Sequence, residues 1–347
     1  MSAINDPYFD RAPRIVIWEM TRACALACKH CRAEAVPRRH LGELTTGEAF
    51  HLVDEIARLG APLLVLSGGD PLMRDDIYKI VEYARFRGLT VAVTPSATGR
   101  LTSDALERLY TAGAHRVALS LDAPDAQAHD AFRGVRGSYA RTLAAVRSAR
   151  EIGLEVQINT TISRRNNERV DEFVDLLSTL DIALWSVFFL IPVGRASLDM
   201  MLDAAETDRA FEAIYAASKR APFGVKTTEA PAYRRFLAQR DPSLVRTAGI
   251  GDGRGFVFVS HVGEVYPSGF LPESAGNVRS TPLGTIYREH PLFVRLRRPS
   301  TFTGKCGVCS YNTICGGSRA RAYATSGDPF GSDPSCSYVP ERSAAHV

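Results

Sequence analysis

Apolar runs and glycines alternate with a regular rhythm along residues 15–190. Four segments of helical length end at Gly60, Gly88, Gly113 and Gly153, and a short run rich in branched apolar residues follows each of them. Glycine is common just after the last turn of a helix, and a continuous apolar run is typical of a parallel strand buried on both faces. The pattern therefore predicts a series of βα units.

Adding one apolar run before these units and one after them gives six predicted strands and six predicted helices. The strands cover 15–18, 63–66, 89–93, 117–121, 154–158 and 184–190, and the helices lie near 47–59, 75–87, 102–112, 139–152, 167–179 and 207–219. Six parallel units with right-handed crossovers form either a partial barrel or an open, doubly wound sheet. The pattern alone leaves both α/β architectures open.

Three cysteines, Cys24, Cys28 and Cys31, follow the first predicted strand with the spacing CxxxCxxC. A closed zinc or iron-sulfur site uses four protein ligands, whereas three protein ligands leave one coordination position open for a ligand that is not protein. Taken from the residues alone, a zinc site, an ordinary [4Fe-4S] site and unrelated buried cysteines are all alternatives.

The stretch Thr21–Ala35 resembles the cluster loop of radical S-adenosylmethionine (SAM) enzymes. The resemblance implies that Cys24, Cys28 and Cys31 hold a catalytic [4Fe-4S] cluster whose fourth iron binds SAM. It also implies that the α/β core is a (β/α)6 partial TIM barrel. His30 stands where the family usually has an aromatic residue packed near the adenine.

Other stretches resemble the SAM-binding motifs of the same family, and each follows a predicted strand, where ligands of such folds bind. Ser67–Pro71 is similar to the GGEP motif that binds the SAM amino group, although a simple turn is the alternative for a glycine pair. The resemblance implies ribose or carboxylate contacts at the later strand ends, where structural or solvated roles are the alternatives. The predicted SAM-binding residues are His30, Gly68, Gly69, Asp70, Ser96, Ser120, Asp122, Arg133 and Asn159.

A second cysteine group lies near the C-terminal end and supplies four possible metal ligands: Cys306, Cys309, Cys315 and Cys336. Their spacing suits a structural zinc ion as well as an iron-sulfur cluster. Cys315–Tyr323 resembles the SPASM or twitch extension of radical SAM enzymes, which implies one auxiliary [4Fe-4S] cluster for electron transfer. Ser268 and Arg319 stand where a full SPASM domain has cysteines for a second auxiliary cluster.

We expect three regions: an N-terminal extension (1–14), the radical SAM core (15–222) and a small cysteine-rich α+β domain of twitch or SPASM type (223–347). The alternating run from Phe256 to Ser260, with Val265 beyond it, predicts a hairpin before the second cysteine group. Three charged residues of the linking segment are candidates for substrate contacts, with simple solvation as the alternative: Lys226, Glu229 and Arg234.

Charge and composition restrict the partners. A net charge of +4 without a long basic block does not indicate nucleic acid. Residues 1–10 lack a signal-peptide pattern, and no apolar run approaches a membrane span, so no membrane partner is expected. Seven cysteines in two tight groups favour metal sites in a reducing, cytoplasmic compartment.

The resemblance implies an oxidoreductase that cleaves SAM reductively and forms a 5′-deoxyadenosyl radical. The first hypothesis for the substrate is a peptide or other natural-product precursor, and the second is a tetrapyrrole haem precursor that is decarboxylated or changed in a side chain. A zinc-structured or electron-carrying protein without catalysis is the alternative from another class. An enzyme of this kind needs an electron donor such as flavodoxin or ferredoxin.

Overall fold

The computed structural model of the chain describes residues 7–245, 247 and 249–341. Within these residues, nine strands form one sheet. They are β1 (Ile15–Glu19), β2 (Leu63–Ser67), β3 (Thr90–Val93), β4 (Arg116–Ser120), β5 (Glu155–Ile162), β6 (Leu184–Phe189), β7 (Gly224–Thr228), β8 (Phe256–Val259) and β9 (Val265–Tyr266).

The strands follow one another across the sheet in the order β7-β6-β5-β4-β3-β2-β1-β8-β9. Every neighbouring pair from β7 to β8 is parallel, and β9 returns antiparallel to β8. A doubly wound sheet would reverse its strand order at a switch point. The unbroken order from β1 to β7 therefore matches the partial barrel and not the doubly wound alternative.

Helices connect the parallel strands and continue into the C-terminal region. The described α-helices are α1 (Tyr8–Arg11), α2 (Thr46–Leu59), α3 (Ile77–Phe86), α4 (Ser103–Thr111), α5 (Ala126–Arg133), α6 (Ser138–Glu151), α7 (Val170–Ser178), α8 (Ala204–Arg220), α9 (Ala232–Arg240), α10 (Leu283–Glu289), α11 (Pro291–Leu296), α12 (Gly304–Gly307) and α13 (Arg319–Ser326). Short 3₁₀ segments lie at Pro71–Met73, Asn167–Arg169, Leu198–Met200, Pro242–Leu244 and Pro299–Thr301. None of the described helices is both long and apolar enough to cross a lipid bilayer.

Helix α2 shows how local sequence sets these elements. Thr45 accepts a hydrogen bond from the Glu48 backbone N–H, and the Glu48 carboxylate accepts one from the Thr45 N–H, which closes a capping box. The helix ends at Gly60 in the left-handed conformation. Its apolar face, including Leu52 and Ile56, is buried in the main core together with Leu64 of β2.

The strands have two different faces. In β2, Leu64 and Leu66 are buried against the helices, whereas Leu63, Val65 and Ser67 between them are only half-buried. In β5 the same alternation buries Val156 and Ile158 and leaves Gln157 and Asn159 half-buried. Polar side chains therefore collect on the concave side of the sheet, where the strands end.

The six predicted strands and six predicted helices are confirmed, with ends that differ by a few residues. The sequence pattern did not include β7 among the predicted strands, because Gly224–Thr228 is polar and lies at the edge of the sheet. The predicted hairpin is confirmed as β8 and β9, but its first strand pairs with β1. The segments on both sides of residue 222 thus share one sheet.

The division into 1–14, 15–222 and 223–347 stays a prediction. Residues 1–6 of the predicted extension and residues 246, 248 and 342–347 of the C-terminal region lie outside the described residues.

The core predicts a matched pair of leucine substitutions. Leu64 is fully buried, so Leu64→Ala should lower the free energy of unfolding by roughly 2–5 kcal/mol through lost burial and a residual cavity. Leu41 is fully exposed, so Leu41→Ala should change it by less than about 0.5 kcal/mol. Anaerobic chemical denaturation measures both. Equal effects of the two substitutions would contradict the placement of β2 in the core.

Candidate metal and cofactor sites

The first cysteine group lies in the loop that follows β1. Cys24 and Cys28 are buried, Cys31 is half-buried, and all three thiols are free. Backbone hydrogen bonds between Cys24 and Val36 (2.8 Å) and between Val36 and Arg22 (3.0 Å) hold the two ends of the loop together. The three thiols pack in one small cluster with Leu26, Ala35 and Val135.

Each sulfur of this group has a polar neighbour. The backbone N–H of Leu26 lies 3.3 Å from Cys24 Sγ, that of Ala35 lies 3.4 Å from Cys31 Sγ, and Arg133 Nη1 lies 3.6 Å from Cys28 Sγ. Burial raises the pKa of the Cys24 thiol, so this sulfur becomes a thiolate when a metal replaces its proton. N–H donors aimed at sulfur favour the negative form that an iron-sulfur cluster requires. The donor set therefore fits a cluster with three protein ligands.

The glycine pair after β2 packs directly on the cysteine loop. A Cβ atom on Gly68 would lie 2.3 Å from the Thr21 carbonyl oxygen, and one on Gly69 would lie 2.5 Å from that of Ala23. The backbone N–H of Gly69 donates to Thr21 (2.7 Å), and that of Asp70 donates to Ala23 (2.7 Å). Only glycine allows this approach of two backbones.

Asp70 is fully buried beneath this turn. Its carboxylate accepts hydrogen bonds from Leu72 N (3.1 Å), Ser96 N (3.4 Å) and the Thr98 hydroxyl (2.8 Å). The Ser96 hydroxyl donates to the Gly69 carbonyl (2.7 Å) and lies 3.5 Å from Cys24 Sγ. The carboxylate thus organises the turn, and its direct contact with the SAM amino group stays a prediction.

Asp122 and Arg133, which we predicted as separate SAM contacts, form an ion pair at 2.5 Å. Burial raises the pKa of Asp122, but Arg133, His30, His129 and the hydrogen bond from Thr161 N together outweigh this effect, and the net pKa lies below its usual range. The other carboxylate oxygen accepts from Thr161 N (2.8 Å). The pair lies beside Cys28, since Arg133 reaches its sulfur.

His30 stacks on Phe132 with ring centroids 4.1 Å apart and planes 7° from parallel. Burial lowers the pKa of His30 to about 4, although Asp122 acts in the opposite direction. His30 Nδ1 and Arg133 Nε are buried without a hydrogen-bond partner in the described part of the chain. These unpaired groups beside the cysteines fit a polar ligand such as SAM.

A cavity of about 270 Å³ adjoins this site, with Asp122, Phe132 and Asn166 in its lining. Asn166 donates to the carbonyls of Asp122 and Thr161, both at 2.9 Å, and so fixes the end of β4 against that of β5. Neither Phe132 nor Asn166 is among the site residues predicted from the sequence. Phe132 precedes Arg133 in the chain, which is the signal that could have identified it.

The remaining predicted SAM contacts lie on the same side of the sheet. Ser120 and Asn159 are register partners at the ends of β4 and β5. Asn159 Oδ1 accepts a hydrogen bond from Gln157 Nε2 (2.7 Å). Ser120 lies two residues before Asp122, and the contact of Ser120 and Asn159 with SAM stays a prediction.

The second cysteine group surrounds α12 and the segment before α13. Cys306, Cys309, Cys315 and Cys336 are half-buried and free. Burial, with smaller effects of Cys336, Asp333 and Cys306, raises the pKa of Cys315 to about 12. The same two thiols raise the pKa of Cys309 after burial. Cys306 and Cys336 therefore lie near both Cys309 and Cys315, and the action of the four thiols as one ligand set stays a prediction.

Among the described residues, no three His, Cys, Asp or Glu side chains converge on a point that suits a single metal ion. The fit to a cluster at the second group consequently rests on its four thiols and their N–H donors. Backbone N–H groups of Tyr311, Gly317 and Asp333 lie 3.3–3.5 Å from the sulfurs of Cys309, Cys315 and Cys306.

Ser268 and Arg319 have other roles than metal ligands. Ser268 is buried and accepts a hydrogen bond from Phe270 N (3.3 Å). Arg319 is buried, and its Nη2 lies 3.3 Å from Cys306 Sγ. These contacts agree with a single ligand set of four thiols.

The three linker residues have different surroundings. Lys226 is an exposed side chain of β7, and Glu229 follows that strand with a positive φ of 57°. Burial raises the pKa of Glu229 well above its usual range, and Asp252 adds to this effect. Arg234 donates from Nε to the Ile314 carbonyl (2.9 Å), next to Cys315.

Comparisons with known proteins agree with this geometry. The model of the Radical SAM superfamily matches residues 18–177. The AdoMet-dependent heme synthase of Nitratidesulfovibrio vulgaris is 39% identical over 95% of this chain and 93% of its own length. The mycofactocin maturase MftC of Mycobacterium tuberculosis is 30% identical over 94% and 83%.

Among solved structures, SuiB of Streptococcus suis bound to S-adenosylmethionine is similar with a TM-score of 0.77 and 19% identity. The match covers 94% of this chain and 78% of that one. At this identity the likeness establishes the fold.

The two ligand sets predict different consequences of cysteine loss. Replacing Cys24, Cys28 and Cys31 together by Ala should leave about half of the iron of the reconstituted parent. It should abolish 5′-deoxyadenosine formation, because no iron with an open position would remain for SAM. Iron analysis and chromatography of the nucleoside products measure the two effects. Formation of 5′-deoxyadenosine by this variant would show that the assignment of the first group is wrong.

The burial of His129 should make part of the free energy of unfolding depend on pH. Its Nδ1 accepts from the Asp122 N–H (3.1 Å), and burial lowers its pKa from 6.5 to about 4, against the effect of Asp122. Between pH 6.5 and about pH 4, His129 binds a proton in the unfolded chain but not in the folded protein, so the free energy of unfolding decreases as the pH falls. His129→Gln should remove about 2 kcal/mol of the loss in unfolding free energy between pH 7 and pH 5.

His51, whose side chain is 63% exposed, provides the matched control. His51→Gln should leave the pH dependence of chemical denaturation unchanged. The same slope in the His129→Gln variant as in the parent would contradict the buried neutral state of His129.

Proposed function

Because this chain belongs to the radical SAM superfamily, whose enzymes use SAM and a [4Fe-4S] cluster, we propose that it oxidatively modifies a tetrapyrrole haem precursor. The observation that carries the proposal is the 39% identity to an AdoMet-dependent heme synthase across nearly the whole of both chains. The identity to a mycofactocin maturase is 30%. The comparison therefore favours the second of our substrate hypotheses over the peptide.

When bound, the first cluster and SAM supply a 5′-deoxyadenosyl radical, and an auxiliary cluster accepts an electron. We assign Cys24, Cys28 and Cys31 to the first cluster and Cys306, Cys309, Cys315 and Cys336 to the second. A propionate side chain that gives up one hydrogen atom, carbon dioxide and one electron becomes a vinyl group. This conversion balances in atoms and charge and makes use of both ligand sets.

The residues around the first group would orient SAM. Arg133 carries a buried Nε without a partner, which suits the SAM carboxylate, while Asp122 holds the guanidinium in place. His30, neutral at pH 7 because burial lowers its pKa to about 4, presents a flat ring stacked on Phe132. Gly68 and Gly69 keep the turn after β2 close to the cysteine loop.

Lys226 is a candidate for binding a propionate carboxylate. Register pairs place Ser120, Asn159, Ser186 and Lys226 in one row across β4 to β7, so their side chains share one face of the sheet. Lys226 has no carboxylate partner in the described part of the chain. Lys226 thus places a positive charge without a carboxylate partner at one end of this row, and the predicted SAM contacts Ser120 and Asn159 lie at the other end.

The source of electrons remains part of the proposal. A flavodoxin or ferredoxin would reduce the first cluster, and a chemical reductant replaces it in the experiment below. The described surface offers no membrane-spanning helix, and the cytoplasmic location stays a prediction.

Incubation with a propionate-bearing porphyrin tests the proposal. Reconstituted protein with SAM and dithionite should convert an iron-loaded or metal-free porphyrin to a product that lacks carbon dioxide and two hydrogen atoms per reacted side chain. Mass spectrometry detects the change, and 5′-deoxyadenosine should form in proportion. If neither porphyrin changes although 5′-deoxyadenosine forms, the haem-precursor proposal is wrong.

Two lysine variants refine this experiment. Lys226→Met should raise the KM for the porphyrin by roughly tenfold, since a charge-assisted hydrogen bond is lost, and Lys226→Arg should restore most of the affinity. Lys219→Met, at an exposed lysine of α8, is the matched control and should have no effect. Equal KM values for all variants would remove Lys226 from the binding site.

A further inference from the structure

The second cysteine group is surrounded by buried positive charge. The described chain contains six buried arginines: Arg74, Arg235, Arg254, Arg297, Arg319 and Arg321. Four of them pair with a carboxylate, namely Arg74 with Asp76, Arg235 with Asp208, Arg297 with Asp10 and Arg321 with Asp333. Arg254 and Arg319 form no ion pair with a carboxylate within the described residues.

Both unpaired arginines lie beside the cysteines. Arg319 Nη2 lies 3.3 Å from Cys306 Sγ, and the rest of its guanidinium donates to three backbone carbonyls, those of Gly317, Pro329 and Gly331. Arg254 donates to the Thr313 carbonyl (2.9 Å), and Cys315 partly offsets the lowering of its pKa by burial. Carbonyl oxygens fix the direction of these side chains without cancelling their charge.

Arg234 and Arg235 extend the same arrangement. Arg234 is half-buried, donates to the Ile314 carbonyl and has no carboxylate partner among the described residues. Arg235 Nη2 lies 3.9 Å from Cys336 Sγ, but Asp208 already balances its charge. Asp252 is a buried carboxylate in the same region, where it accepts hydrogen bonds from the backbone N–H groups of Arg319 and Ala320 and forms no ion pair within the described residues. The three arginines without an ion pair, Arg319, Arg254 and Arg234, therefore exceed this carboxylate by two positive charges.

Burying a cation without a counter-charge is costly, so a nearby anion must compensate these arginines. Four thiolates that hold a cluster provide such an anion. The first cysteine group differs, because Arg133, whose Nη1 lies 3.6 Å from Cys28 Sγ, is balanced by Asp122 at 2.5 Å. Arg195, which contacts the Ala35 carbonyl of the same loop, is exposed to solvent.

We propose that Arg319, supported by Arg254 and Arg234, raises the reduction potential of the auxiliary cluster above that of the SAM-binding cluster and makes it the electron acceptor. Reduction adds one electron and one unit of negative charge to the cluster. A fixed, desolvated cation next to a ligand sulfur stabilises the reduced form more than the oxidised form. Arg319 thus acts on the cluster through a positive charge that is held in a fixed position. It occupies the place where a full SPASM domain would have a further cysteine.

The accepted electron comes from the substrate as it loses carbon dioxide, which rests on the proposed function. The difference in potential does not depend on the substrate, since it follows from the charges around each ligand set. Porphyrin turnover and cluster potential are therefore independent measurements, and failure of one leaves the other interpretable.

A redox titration of the reconstituted full chain, followed by electron paramagnetic resonance, tests the proposal. Addition of SAM alters the signal of the cluster that binds it and so distinguishes the two clusters. The auxiliary cluster of the parent should be reduced at the higher potential. Arg319→Gln should move its potential to a more negative value and leave that of the SAM-binding cluster in place, whereas Arg319→Lys should keep both near those of the parent.

Arg288→Gln, at a side chain of α10 that contacts the Arg11 carbonyl, is the matched charge-loss control and should leave both potentials in place. If Arg319→Gln fails to retain its cluster, the less buried Arg234→Gln should show the same negative shift. An unchanged auxiliary potential in a variant that retains both clusters would overturn the proposal. Stoichiometric zinc in the second group would overturn it as well, without affecting the assignment of the first group.

Discussion

The close packing of backbone against the cysteine loop is the constraint on which the first site depends. Gly68 and Gly69 approach it from the turn after β2, Gly134 approaches Ala27 from the end of α5, and Gly194 approaches Cys31 after β6. At each of these positions a Cβ would lie 2.3–2.6 Å from a carbonyl oxygen of the loop. Three separate βα connections therefore pack against one loop, and the barrel determines where the thiols of this loop lie.

This dependence explains which parts of the site the sequence could indicate. Cysteine spacing and the motif after β2 are local, so the chain order alone reveals them. The pairing of Asp122 with Arg133 and the stacking of His30 on Phe132 depend on how α5 returns over the loop, which no periodicity describes. These residues lie together in the structure and their role as SAM contacts stays a prediction, whereas the contacts among them were not predicted.

The strands also divide into those that the local sequence indicates and those that depend on distant parts of the chain. Buried parallel strands such as β2 and β4 carry continuous apolar runs and were predicted, whereas β7 is an edge strand with a lysine and two threonines and gave no such signal. The hairpin of β8 and β9 was predicted from its alternation. Its parallel pairing with β1 joins residues more than 200 positions apart, and a sequence pattern contains no information about such a partner.

That pairing also links the two cysteine groups physically. β1 leads into the first group, and Glu19 at its end lies between Arg32 of the cysteine loop (2.6 Å) and His261 after β8 (3.0 Å). From β8 the chain continues to the second group, where Asp252, just before that strand, accepts hydrogen bonds from the first N–H groups of α13. The relative position of the two groups is thus fixed by one hydrogen-bonded sheet and not by a flexible linker. With the two groups joined by one sheet, the charge around each group is what remains to distinguish their chemistry, and among the described residues the buried arginines without an ion pair lie only beside the second group.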